Sequence, residues 1–148
     1  TDYIQSKHYL WTGGRDGFRG TLERYQQTLR QWNPALDDGR IEGLMCRLLG
    51  IELPADYRIA DFGRPSPKSF FDDVVYHESR KMLFRIGDAE RISPFVGLEH
   101  GGSPWMTAEE LELLFQSMVD AGLTRFTYYT LNDISDEIWQ VMTRFTAP

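Results

Sequence analysis

Arg91-Ile-Ser-Pro-Phe-Val-Gly-Leu-Glu99-His100-Gly101-Gly102 is the stretch on which the reading of this chain turns. A short apolar run ends in a carboxylate, an imidazole and two glycines, and an amphipathic helix then begins at about Thr107. A parallel β-strand hands a functional side chain to the rim of an α/β sheet in this way. The glycines permit close backbone approach, and the helix carries the chain back for the next parallel strand.

Downstream, Thr107 and Glu110 form a capping box, with Met106 and Leu111 placed as a hydrophobic staple. Leu111, Leu114, Phe115, Met118 and Val119 make the expected buried stripe, and Gly122 suits the residue past the helix end. Thr124 to Leu131 is β-branched and aromatic, which predicts a strand. Caps between Asn132 and Ser135 then precede a last helix with Ile138, Val141, Met142 and Phe145 on one face.

Upstream, Ser69 to Ile86 reads as a helix with Phe71, Val75, Met82 and Ile86 on one side, closed by Gly87-Asp88. Gly50 to Pro67 is an irregular segment of a length more often functional than idle. The apolar run Ile41 to Leu49 is short enough for a buried strand, though periodicity does not separate it from a helix. Phe18, Leu22, Tyr25, Leu29 and Trp32 form one apolar helical stripe ended by Asn33-Pro34. Tyr3 to Thr12 is the first strand candidate.

Together these segments predict an α/β fold of about four sequential β-α units, with a parallel sheet and right-handed crossovers. One domain over residues 1–148 is expected, since no linker or low-complexity stretch divides the chain. The start at Thr1 and the end at Pro148 fit a removed leader or a cut from a longer polypeptide.

Composition narrows the function classes. A net charge of −6, with scattered basic residues, argues against nucleic acid and anionic membrane as partners. No apolar run approaches the ~18 residues of a membrane span. The single Cys46 excludes an internal disulfide and a cysteine-built zinc site, is expected to be a buried inert thiol, and is compatible with the cytosol without excluding export. His77-Glu78 starts like a zinc-protease helix motif, but Lys81 stands where the second histidine belongs, so no metal is expected. No nucleotide fingerprint, P-loop or G-x-S-x-G elbow is present, and no cofactor is implied.

Ligands of parallel α/β sheets bind beyond the carboxyl ends of the strands. That rule gathers Trp11, Arg15 and Asp16, then Glu52, Asp61 and Arg64, then Glu99 and His100, and last Tyr129, Asn132 and Asp133. Glu99 stands out, because a carboxylate ending an apolar strand is costly unless paired or used. Its functional reading is nucleophile or general acid/base; the structural one is an ion pair with Arg15 or a loop cap. His100 orients Glu99, contacts substrate or faces solvent. Trp11 and Trp105 flank the rim, where they either stack on a sugar ring or pack beneath a loop.

In organisation, Asp72 to Phe145 resembles the last two units of a (β/α)8-barrel glycoside hydrolase. The resemblance rests on a strand finishing in Glu99, a capped helix ending Ala121-Gly122, an aromatic strand and a terminal helix with Trp139. It implies that the chain is the carboxyl-terminal half of a barrel, with Glu99 as the nucleophilic carboxylate at the end of strand seven. The acid/base carboxylate of strand four would then lie on a missing amino-terminal half or a partner chain, or the halves would pair as a homodimer.

The resulting expectation is a carbohydrate-active hydrolase, or the half of one carrying its strand-end carboxylate. Glu99 and Tyr129 would be catalytic, with Tyr129 positioning Glu99. Trp11, Arg15, Asp16, His100, Trp105 and Asn132 would bind a carbohydrate or other small polar ligand. The alternative is a self-contained, non-catalytic α/β domain that binds a ligand or protein.

Overall fold

A computed structural model describes residues 3–6, 17–62, 66–100, 103–104, 106–129 and 134–146. The chain is mixed α/β. Its helices are α1 (Phe18–Trp32), α2 (Asp38–Leu49), α3 (Tyr76–Ile86), α4 (Ala108–Asp120) and α5 (Asp136–Thr146). Its strands are β1 (Phe95–Gly97), β2 (Glu99–His100), β3 (Ser103–Pro104) and β4 (Thr127–Tyr129).

The sheet is built around β1. β4 pairs with it in parallel, Phe95 opposite Thr127 and Gly97 opposite Tyr129. Along the other edge the Tyr3–Ser6 segment also runs parallel. Ile4 N–H donates to Arg91 O at 2.7 Å, and Ser93 N–H and Phe95 N–H donate to Ile4 O and Ser6 O, each at 3.0 Å. Strand alternation then sorts the side chains: Ile92, Val96 and Leu98 are buried in the core, while Ser93 and Phe95 are half-buried.

The expected four-unit parallel sheet is therefore found only in part. The second strand candidate, Ile41 to Leu49, lies in α2 instead. The physical reason is the bracket around it. The Asp37 side chain accepts from Arg40 N–H at the start, and Gly50 adopts φ 69° at the end, a left-handed cap that glycine takes without penalty. Only Ile41 and Met45 of this helix are buried, one turn apart on one face. The helices α1, α2 and α3 thus all lie between the Tyr3–Ser6 segment and β1.

The irregular segment after Gly50 is packed rather than idle. Ile51, Ile59 and Phe62 belong to the core, and a 3-10 turn spans Ile59–Asp61. Phe62 is fully buried, edge-on to Phe18 at 5.1 Å, Tyr57 at 5.5 Å and Phe70 at 5.9 Å between ring centroids. Glu42 of α2 anchors the turn by accepting Ile59 N–H at 2.7 Å.

The predicted helix from Ser69 to Ile86 forms, but its first part, Phe70–Val75, is a π-helix. That wider turn buries Phe70, Phe71, Val74 and Val75 together. Ser117 of α4 donates its hydroxyl to Phe71 O, so the π-helix that leads into α3 is joined to α4 by a hydrogen bond. Gly87, at φ 74°, ends α3.

α4 starts as its sequence signals require. Thr107 accepts Glu110 N–H at 3.1 Å, Glu110 accepts Thr107 N–H at 3.0 Å, and Met106 and Leu111 are both buried. Phe115 of α4 gathers Phe126 and Tyr128 from the β4 region and Phe145 of α5 around it, with centroids 4.9 to 6.0 Å apart.

Some expected core positions lie outside the core. Tyr25 and Trp32 are exposed, because only the first part of the α1 stripe, Phe18 and Leu22, is fully buried in the core. Val119 is also exposed, on the flank of α4. Cys46 is half-buried rather than buried. Among the described residues no helix is long and apolar enough to cross a membrane.

Candidate functional site at the carboxyl rim of the parallel strands

The parallel register brings the carboxyl ends of two strands together. Leu98 N–H donates to Tyr129 O at 3.3 Å, one residue before Glu99. Tyr129 stands at the end of β4, 57% exposed, opposite Gly97.

Glu99 and His100 do not simply end the strand, as the sequence suggested. They form β2, which pairs antiparallel with β3, Glu99 opposite Pro104 and His100 opposite Ser103. Only Gly101 and Gly102 separate the two strands in sequence, a spacing and composition that suit a two-residue reversal. The backbone is therefore tied to β4 up to Leu98 and to β3 from Glu99 onward.

The remaining predicted site residues Trp11, Arg15, Asp16, Trp105 and Asn132 lie outside the described residues, as do Arg64 and Asp133. Glu52 and Asp61 belong to the packed segment between α2 and α3, where the Asp61 carboxylate accepts Arg58 N–H at 2.9 Å.

Glu110, in the first turn of α4, was expected as half of a capping box, but its second partner was not. Glu110 in that turn is only 6% exposed, and its Oε1 accepts Ser66 N–H at 2.7 Å. One side chain thus closes the helix cap and ties down residue 66, which is 44 positions away. The capping pattern was visible in the sequence, whereas nothing local could announce the Ser66 partner.

Burial, and then the nearby Asp61 and Glu110 carboxylates, push the Tyr57 phenol well above its ordinary range. Its hydroxyl accordingly stays protonated at neutral pH.

At the amino ends of the same strands lies a second polar cluster. Arg125 bonds Glu90 through Nε at 3.0 Å, donates to Tyr3 Oη at 3.3 Å and stacks over the Tyr3 ring at 5.5 Å. Ser93 Oγ and Thr127 Oγ1 lie 2.8 Å apart, and Gln5 Nε2 donates to Thr127 at 3.3 Å, a polar rung across all three parallel segments. In α/β sheets this pole serves stability rather than chemistry.

His77, the start of the rejected zinc motif, is exposed and packs edge-on against Tyr76. Among the described residues no group of three or more His, Cys, Asp or Glu side chains could hold a metal ion. Comparison of the chain with family models, curated proteins and solved structures finds no match.

Proposed function

We propose that this chain is a carbohydrate-active hydrolase, or the half of one that bears its nucleophile, with Glu99 as the reacting carboxylate. The observation that carries the reading is the Leu98 N–H to Tyr129 O hydrogen bond, which makes the ends of two parallel strands neighbours where Glu99 begins. In α/β sheets this is the edge where ligands bind. The parallel pairing of β1 with β4 and the position of Glu99 two residues past the end of β1 suit a partial (β/α)8 barrel.

In the proposed reaction a Glu99 carboxylate oxygen attacks the anomeric carbon of the sugar as the glycosidic C–O bond breaks. The bond's electron pair leaves with the aglycone oxygen, which takes a proton from an acid on the complementary half. Water, deprotonated by the same group, then attacks the anomeric carbon and releases Glu99. Tyr129, exposed one hydrogen bond away in the backbone ladder, is the positioning residue. Trp11 and Trp105 supply stacking faces; Arg15, Asp16, His100 and Asn132 supply hydroxyl contacts.

The polar rung of Gln5, Ser93 and Thr127, only partly covered by the described residues, favours the partial-barrel form over a self-contained binding module. Parallel sheets are normally covered on both faces, and in a closed barrel such a rung faces the interior. A partner chain or further strands would cover it. The test is hydrolysis of a panel of aryl glycosides by the wild type and by Glu99→Gln. The reading expects turnover on at least one glycoside and its loss by a factor of ~10³ or more on substitution, the scale at which covalent catalysts fail without their nucleophile. A Glu99→Gln protein with wild-type turnover would overturn it.

A further inference from the structure

The outward face of α3 differs in character from a chain whose net charge is −6. The exposed residues of this helix are His77, Arg80, Lys81, Phe84 and Arg85: three cations, an imidazole and one apolar ring. At 3.6 residues per turn they share an arc of about 140°, running from Arg80 to Arg85 with Phe84 inside it. Phe84 is 90% exposed, more than any other large apolar side chain among the described residues. Neither Arg80 nor Arg85 has an ion-pair partner among those residues; Arg80 donates to Ala121 O at 3.3 Å. Carboxylates stand only at the borders of the arc. Asp73, half-buried, precedes it, Glu78 pairs with Lys81, Asp88 accepts Glu90 N–H at 3.0 Å, and Asp120 of α4 accepts Gln116 Nε2 at 2.7 Å.

We propose that α3 docks on an anionic lipid surface, with Phe84 entering the interface and Arg80, Lys81 and Arg85 meeting the acidic headgroups. A lone exposed ring needs no explanation. A ring enclosed by cations combines the two attractions that hold peripheral proteins at membranes, apolar insertion and pairing with anionic lipid. The protrusion also selects the occupant. A folded protein would need a pocket shaped to Phe84, whereas a fluid headgroup layer yields around a ring standing out from a convex helix. A nucleic acid or other polyanion would engage the cations but has no apolar interior for the ring. The net charge does not forbid the contact. Exposed charges beyond ~8 Å are largely screened at physiological ionic strength, so a surface responds to the face nearest it. With three cations and one ring, attachment is weak and reversible.

The test is flotation of the 148-residue chain with phosphatidylcholine vesicles, with and without phosphatidylserine, and thermal unfolding in parallel. At low salt the wild type should float only with the serine-containing vesicles. Arg85→Glu should weaken that binding by a factor of about five or more, the scale of one basic residue near such a surface. Phe84→Ser should weaken it as well. Both variants should unfold at the wild-type temperature, since both side chains are exposed. Arg47→Glu, at an exposed position on α2, should bind as the wild type does. A wild type that does not float at low salt overturns the proposal. So does binding that ignores Arg85→Glu, or binding that ignores Phe84→Ser and extends equally to heparin, the behaviour of a site for polyanions.

Discussion

Replacing Glu110 by alanine removes a carboxylate that is 6% exposed and accepts two backbone N–H groups, from Ser66 at 2.7 Å and from Thr107 at 3.0 Å. A hydrogen bond to a charged group nets about 1.5–3 kcal/mol, and removing the acceptor leaves both donors without partners. Taking the lower figure for each bond, the loss is about 3 kcal/mol, or roughly 10 °C in the unfolding midpoint for a chain of this size. Glu110→Gln keeps one carbonyl acceptor but turns an amide N–H₂ toward a donor, so its loss should be smaller than that of alanine. Thr107→Ala removes only the hydroxyl half of the capping box and should cost about 1 kcal/mol. Urea unfolding followed by circular dichroism gives all three values against an exposed control, Glu109→Ala. If Glu110→Ala lies within about 1 kcal/mol of the wild type, the tie from Ser66 to the start of α4 contributes little, and this reasoning fails.

Three further outcomes follow from the same geometry. Phe62→Ala, at a fully buried ring touching three others, should cost about 3–5 kcal/mol in equilibrium unfolding, whereas an idle loop position would cost almost nothing. Hydrogen bonds from Arg125 and Thr124, with the Arg125 charge, hold the Glu90 carboxyl below its ordinary value. Its contribution to stability is therefore present above the unfolded-state carboxylate value and lost as pH falls through the lower native one. The stability–pH curve of Arg125→Ala should lack that acid-side component, and curves of the same shape would contradict the pairing. Burial, with the Glu42 charge second, pushes the Cys46 thiol up, so alkylation by iodoacetamide near pH 8 should run slower than for a free cysteine peptide. A faster reaction would mean an activated thiol.

Where signals were local, the sequence told what the chain would build. Thr107 and Glu110, three positions apart, specify the start of α4, and both arms of the box are made. Asn33-Pro34 and Gly87 stop α1 and α3 where their backbone restrictions demand. The second strand was misread because the apolar run Ile41–Leu49 was weighed without the caps at Asp37 and Gly50 that make it a helix. Tyr25 and Trp32 were placed in the core because an amphipathic stripe shows which face is apolar, not how far along the helix the core extends. Glu99 and Tyr129 were brought to one edge by the alternation of strand and helix alone. The bond between Glu110 and Ser66 and the rung of Gln5, Ser93 and Thr127 depend on which distant segments meet, which no local pattern encodes.

The proposed role of Glu99 requires a carboxylate able to open a glycosidic bond at the strand ends. A dinitrophenyl 2-deoxy-2-fluoroglycoside carries a leaving group that needs no proton, so it reports on the nucleophile even when the acid/base lies on another chain. Intact-mass measurement and peptide mapping after exposure to a panel of such reagents should find one sugar attached, on Glu99 and absent from Glu99→Gln. An unlabelled chain throughout the panel, or a label carried by any other residue, contradicts the account.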